Sequence, residues 1–234
     1  MSKIVVSFIT ASLTFSPFAH AANNVCSNDY GKMQCAAGEV NSINHLGNLT
    51  LSGTHVLGQL TVVGNVEANN AEVGSGDITG IVDASHLTVQ KQLSSIGKFH
   101  AVNSVFNGEL KLTGKFEGKN NVFNDKADVV GDVNINNEMF KREAEFTGNV
   151  FAKFTTFSMP IKINACESTL SHSISAGVIV GAQKNCSGGS EIIRLQDQSQ
   201  VKGDIRFLSG NGKVYVSKDS SVSGHVTGGV IVRE

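Results

Sequence analysis

Residues 97–157 read GKFHAVNSVFNGELKLT-GKFEGKNNVFNDKADVV-GDVNINNEMFKREAEFT-GNVFAKFTTF, and this stretch decides how the chain folds. Gly97, Gly114, Gly131 and Gly148 open four successive units 17 residues apart. The tenth position of each unit is a phenylalanine: Phe106, Phe123, Phe140 and Phe157. A short fixed period of this kind belongs to coiled, stacked architectures in which each unit buries its apolar face against the next.

The same pattern extends outward. Gly47, Gly64 and Gly80 open earlier units, one of them 16 residues long. The register is expected to continue through Ala165 and Gly181 and then loosen into longer units opening at Gly203 and Gly224. Gly-Val-Ile-Val occurs at 177–180 and again at 229–232. Read down the stack, the third position is apolar (Leu49, Val66, Val82, Phe99, Phe116, Val133, Val150), and the fifth is small or apolar. The tenth runs Val56, Val73, Val89, the four phenylalanines, then Ile174. Positions fourteen and sixteen add apolar pairs such as Leu110 with Leu112. Polar residues alternate with these, which is the period of a strand with one buried face. Units of 17 residues are too short for two packed helices, and Gly, Val, Thr and Asn disfavour helix. The seventh position repeats asparagine at Asn70, Asn103, Asn120 and Asn137, a residue that tolerates a left-handed corner. The expected fold is therefore all-β: a single-stranded parallel β-helix (β-solenoid) with coils of about 17 residues. At roughly 4.8 Å per coil, about eleven coils make a rod on the order of 50 Å long.

The N-terminus reads as an export signal over residues 1–21. Lys3 is followed by a mostly apolar run to Phe18 and by Ala19-His20-Ala21, a small-x-small cleavage site. That run is too short and too interrupted for a membrane span. Residues 22–46 lack the repeat as read here, and they are expected to form a disulfide-stapled N-terminal cap on a β-helix spanning 47–234. Cys26 with Cys35 and Cys166 with Cys186 are the favoured pairs of the three connectivities open to four cysteines. No CxxC spacing supports zinc, and disulfides suit an exported chain. A periplasmic or extracellular address follows. A formal net charge of −1, without a long run of one sign, gives no electrostatic footprint for nucleic acid.

The Gly-x-Val repeat, short coils and Gly-Gly-Val-Ile-Val ending resemble the bactofilins, polymer-forming bacterial proteins with a parallel β-helix core. The resemblance covers roughly Gly47 to Val232 and implies the fold and a capacity for self-assembly. Unlike typical members, this chain has an export signal and paired cysteines.

Sites on such a rod would be built from outward rows. The fourth position stacks Glu67, Asp83, His100 and Glu117, flanked by Lys98 and Lys115. Three carboxylates and an imidazole could hold a divalent cation or form an acid/base pair; no other cofactor is expected. The plainer reading is a charge ladder on a solvated face. Phe151, Phe154 and Met159 break the polar pattern and are expected to form a local exposed apolar patch. No nucleophile elbow or catalytic triad is present. The leading expectation is a non-enzymatic, adhesin-like structural protein that binds a cell-surface or glycan partner, or itself through an uncovered last coil after Val230-Ile231-Val232. The competing expectation is a polysaccharide lyase or hydrolase drawing on Glu191, Arg194, Asp197, Asp204 and Arg206 in the longer coils. That rests on fold analogy.

Overall fold

The computed structural model describes residues 25–234, and the expected export signal lies outside the described residues. The chain is an all-β parallel solenoid of about twelve turns. A representative coil begins in the strand Leu110–Lys119, which bends at Gly114 and so forms two sides of the rod. The short strand Val122–Phe123 forms the third side. Pairing between coils is strictly in step: Leu110 faces Ala127, Gly114 faces Gly131, Phe116 faces Val133 and Phe123 faces Phe140.

Three local rules in the sequence produce this path. Alternation sends Leu110, Leu112, Phe116 and Gly118 inward and their neighbours outward. The row glycine adopts a left-handed φ (131° at Gly114) that turns the strand onto the next side. Asn103, Asn120 and Asn137 sit at φ 52–60° at the following corner. There each Nδ2 donates to the Oδ1 one coil back, at 3.0 Å for Asn120 to Asn103 and 2.9 Å for Asn137 to Asn120. The expected asparagine ladder is present.

The core is the continuous row the sequence opened on. Phe106, Phe123, Phe140 and Phe157 stack face to face with centroids 4.9, 4.4 and 5.0 Å apart. Phe99, Phe116 and Phe146 meet them tilted or edge-on from the other sides. Each such pair adds about 0.5–1.5 kcal/mol beyond the area it buries, so this is the best-stabilised part of the rod.

The register departs from expectation in three places. First, Lys32–Cys35 pairs in parallel with Asn48–Leu51, and Gly38–Val40 with Thr54–Val56. A full coil therefore opens at Gly31, inside the segment expected to lack the repeat; its short loops and polar composition hide the pattern. The cap proper is the strand Cys26–Asp29, which runs antiparallel to Lys32–Cys35 and is tied to it by Cys26–Cys35. Second, one extra residue near Ala165 shifts the stack: Thr147 faces Asn164, but Val150 faces Ser168. Ser175, not Ile174, consequently follows Phe157 in the inward row. Its hydroxyl is satisfied by donating to the Gly177 carbonyl at 2.7 Å. Third, Glu167 faces Ile192, which then faces Lys213. The later coils thus open at Cys166, Glu191, Gly212 and Gly229 rather than at Ala165, Gly181, Gly203 and Gly224.

The intervening loop, residues 181–190, is fastened twice. Cys186 bonds to Cys166. Glu191 is buried and accepts hydrogen bonds from the Gln183 N–H at 2.6 Å and from the Ser209 hydroxyl. Burial pushes its carboxyl up, but these donors together with its own backbone N–H outweigh burial and hold it below the ordinary value. A Cys166→Ser/Cys186→Ser variant is expected to lose about 3 kcal/mol, the loop-closure entropy for a loop of this length. Urea unfolding measures this. A loss under about 1 kcal/mol would show that the Glu191 contacts alone fix the loop.

Candidate binding face

The side of the rod that follows each row glycine has inward residues at positions three and five and outward ones at two and four. Glu67, Asp83, His100 and Glu117 do stack on this face, each opposite the next across paired strands. They do not converge on one point. The His100 Nδ1 lies 2.9 Å from the Asp83 Oδ1. Glu117 is held between Lys115 at 2.6 Å and Lys98 at 3.1 Å. Hydrogen bonds from Lys115 and then Lys98 hold the Glu117 carboxyl below its ordinary range, and the Glu117 bond in turn raises Lys115. Glu67 and Asp83 line a shallow depression of about 450 Å³ together with Lys32, Asn48, Asn65 and Ile81. Among the described residues, no three His, Cys, Asp or Glu side chains come close enough to hold a metal ion. The row is a series of local pairs, the form that modest coil-to-coil stabilisation takes.

Phe151 and Phe154 are 44% and 46% exposed, but they stand on different surfaces. Phe151 occupies the fourth row, between Asn134 and Thr169. Phe154 stands at the corner, in the place the asparagines hold in earlier coils, with φ 51°. An aromatic residue there is strained. Its ring packs on His172 with centroids 4.5 Å apart, and Lys153 lies 5.2 Å from the ring centre. Met159 belongs to neither surface: it lines a small hollow at the third corner with Asp125, Lys126, Arg142 and Glu143. The expected three-residue patch is therefore two sites and an unrelated methionine.

Four of the five residues considered for polysaccharide chemistry are engaged structurally. Glu191 ties the loop, and Arg194 pairs with Glu167 and lies 4.6 Å from the Tyr215 ring centre. Asp197 accepts the Ser171 hydroxyl at 2.8 Å, and Asp204 accepts the His225 N–H at 2.8 Å. Arg206 faces outward on another side, between Ile179 and Thr227.

Two rows escaped sequence reasoning. The eighth position is buried throughout and polar at Thr54, Ser104, Asn121, Glu138, Thr155, Ser173, Ser199 and Ser220, with Ala71 and Leu87 between the first two. Its side chains accept the backbone N–H one coil earlier: Ser104 from Leu87, Asn121 from Ser104, Glu138 from Asn121, and Ser173 from Thr155. These residues follow the left-handed corner residue and read as turn residues; the 17-residue spacing from Ser104 to Thr155 was the available signal. The other row is apolar and exposed. Tyr30, Leu46, Val63, Ile96 and Val130 each directly precede a row glycine and project into solvent.

No protein-family model matches this sequence, and no match to it was found among curated proteins or solved structures. Two disulfides fit an oxidising compartment. Among the described residues no helix is long and apolar enough to cross a membrane.

Proposed function

We propose that this chain is an exported, non-enzymatic β-solenoid rod that associates with a second copy of itself through its C-terminal coil. The observation that carries this reading is the state of the strand Gly229–Arg233. Among the described residues it pairs on one side only, with Gly212–Val216. Ile231 stands in the inward row directly after Val214, yet it is 43% exposed where Val214 is fully buried, and Val230 is 58% exposed. An unpaired, apolar strand edge is a template for another strand.

Among the described residues, the opposite end presents a strand of the opposite sense. The strand Cys26–Asp29 lies antiparallel across the first coil, and the Val25 carbonyl accepts the Ala36 N–H at 2.8 Å. Head-to-tail stacking is therefore disfavoured, and a two-fold contact between two C-terminal coils is favoured. In that contact the last strands run antiparallel, with Ile231 opposite its own copy and Val230 opposite Val232 of the second copy. One coil supplies fewer than the roughly 20–30 residues a side of a stable interface. Association is accordingly expected only at micromolar concentration or above. Light scattering on size-exclusion fractions across a concentration series tests it: the wild type should pass from monomer to dimer, and Ile231→Asp should remain monomeric. A wild type that stays monomeric up to millimolar concentration would overturn the reading.

A further inference from the structure

A second depression on the binding face, about 460 Å³, spans the coils opening at Gly114, Gly131, Gly148 and Cys166. Phe151 stands in it, in a row whose other members toward the N-terminus are all polar: Thr50, Glu67, Asp83, His100, Glu117 and Asn134. A phenylalanine left 44% exposed forgoes part of the stabilisation its burial would return, and among the described residues nothing covers it. Around the ring the one lining cation is already paired, and among the described residues the only lining charge without an ion partner is the carboxylate of Asp132. Asn149 donates to Asp132 at 3.0 Å, Lys115 is taken by Glu117, and Glu167 by Arg194. Asn134 and Thr169, on either side of Phe151, make no side-chain hydrogen bond among the described residues, so donors and acceptors remain there beside no free cation.

A ligand suited to this surface is uncharged, presents an apolar face to one aromatic ring, and carries hydroxyls on both sides of that face. A pyranose chain has those properties, and one sugar ring is similar in length to one coil. We propose that the Phe151 depression binds a neutral oligosaccharide lying along the rod axis, with one ring on Phe151 and hydroxyls bonded to Asn134, Asn149 and Thr169. The unpaired carboxylate of Asp132 and the lack of a free cation in the lining argue against uronic or phosphorylated sugars. This inference does not depend on the dimer, because Phe151 lies several coils from Ile231.

Titration calorimetry with the neutral hexaoses of cellulose, mannan, chitin and maltodextrin, and with oligogalacturonate as the charged probe, tests it. At least one neutral hexaose should bind. Phe151→Ala should weaken that binding about tenfold, Phe151→Tyr should preserve it, and Ile231→Asp should leave it unchanged. Phe151 faces solvent, so circular dichroism should show every variant folded. No neutral binding at millimolar sugar, binding indifferent to Phe151→Ala, or binding of oligogalacturonate alone would each overturn the proposal. None of these results bears on self-association.

Discussion

Gly131→Ala is expected to cost on the order of 4 kcal/mol or more, or to prevent folding altogether. Gly131 holds φ 138°, and a Cβ placed on it would lie 1.7 Å from the carbonyl oxygen of Gly114 one coil below and 2.7 Å from its carbonyl carbon. The obstruction is backbone, which cannot rotate aside as a flexible side chain could. Nor can the coil slide, because the neighbouring coils on both sides are bonded in step across ten residue pairs on one side and four on either side of the bend on the other. Gly188→Ala serves as the control: it has φ 77°, but nothing lies within 4 Å of its added Cβ. It should cost only the left-handed strain, about 1–2 kcal/mol. Urea unfolding of the two variants separates them. A Gly131→Ala protein as stable as Gly188→Ala would show that the row glycines serve something other than close approach of the coils.

The second large effect is expected from pH. Glu138 is 2% exposed, and its carboxylate oxygens accept only from Asn121, the N–H at 2.9 Å and the side-chain Nδ2 at 3.0 Å. Burial pushes its pKa up from 4.5 to about 8, and the two Asn121 bonds only partly oppose this. Between those values the native state keeps a proton that the unfolded chain has released. The stabilisation is thus fully present below pH 4.5, declines by about 1.4 kcal/mol per pH unit as pH rises, and is lost once pH passes about 8. Glu138→Gln cannot titrate. Its thermal midpoint should be nearly level from pH 5 to 8 where the wild type falls, and it should be the more stable protein above pH 8. Parallel pH profiles for the two proteins would remove Glu138 as the cause. The site is fitted to this side chain: a Cβ on Gly118 would come within 2.5 Å of the Glu138 Oε1, which is why the fifth position is glycine in that coil.

The rows illustrate what can be read from spacing. Phe106, Phe123, Phe140 and Phe157 were legible as a core because an identical residue recurred at an identical interval, and parallel pairing turns that interval into contact. Asn103, Asn120 and Asn137 were legible as a corner for the same reason. The polar row containing Glu138 was not. Its members differ in type, and Ser, Asn and Thr beside a corner suit a turn as well as they suit a buried acceptor. The shift at Ala165 was also hidden: a single added residue leaves every local pattern plausible while exchanging Ile174 for Ser175 in the core.

The candidate sites divide in the same way. Placing Glu67, Asp83, His100 and Glu117 in one row needed only the repeat. Their separation into pairs depended on side-chain reach between coils, and on Lys98 and Lys115 from the adjoining row. The patch of Phe151, Phe154 and Met159 looked contiguous because the three are close in the chain. In the coil, three residues carry the chain to a corner and eight carry it to the next one, so closeness in sequence becomes separation in space.

Periodicity along the chain was sufficient to establish a parallel β-solenoid, its coil length, its phenylalanine core and its asparagine corner, since these are properties of one unit copied into the next. Which residues point inward at the eighth position and where the first coil begins became evident only from the stacked coils. The bends at glycine and at the left-handed corner reset the alternation of side chains, and the contacts that answer those questions join residues 16 to 26 positions apart.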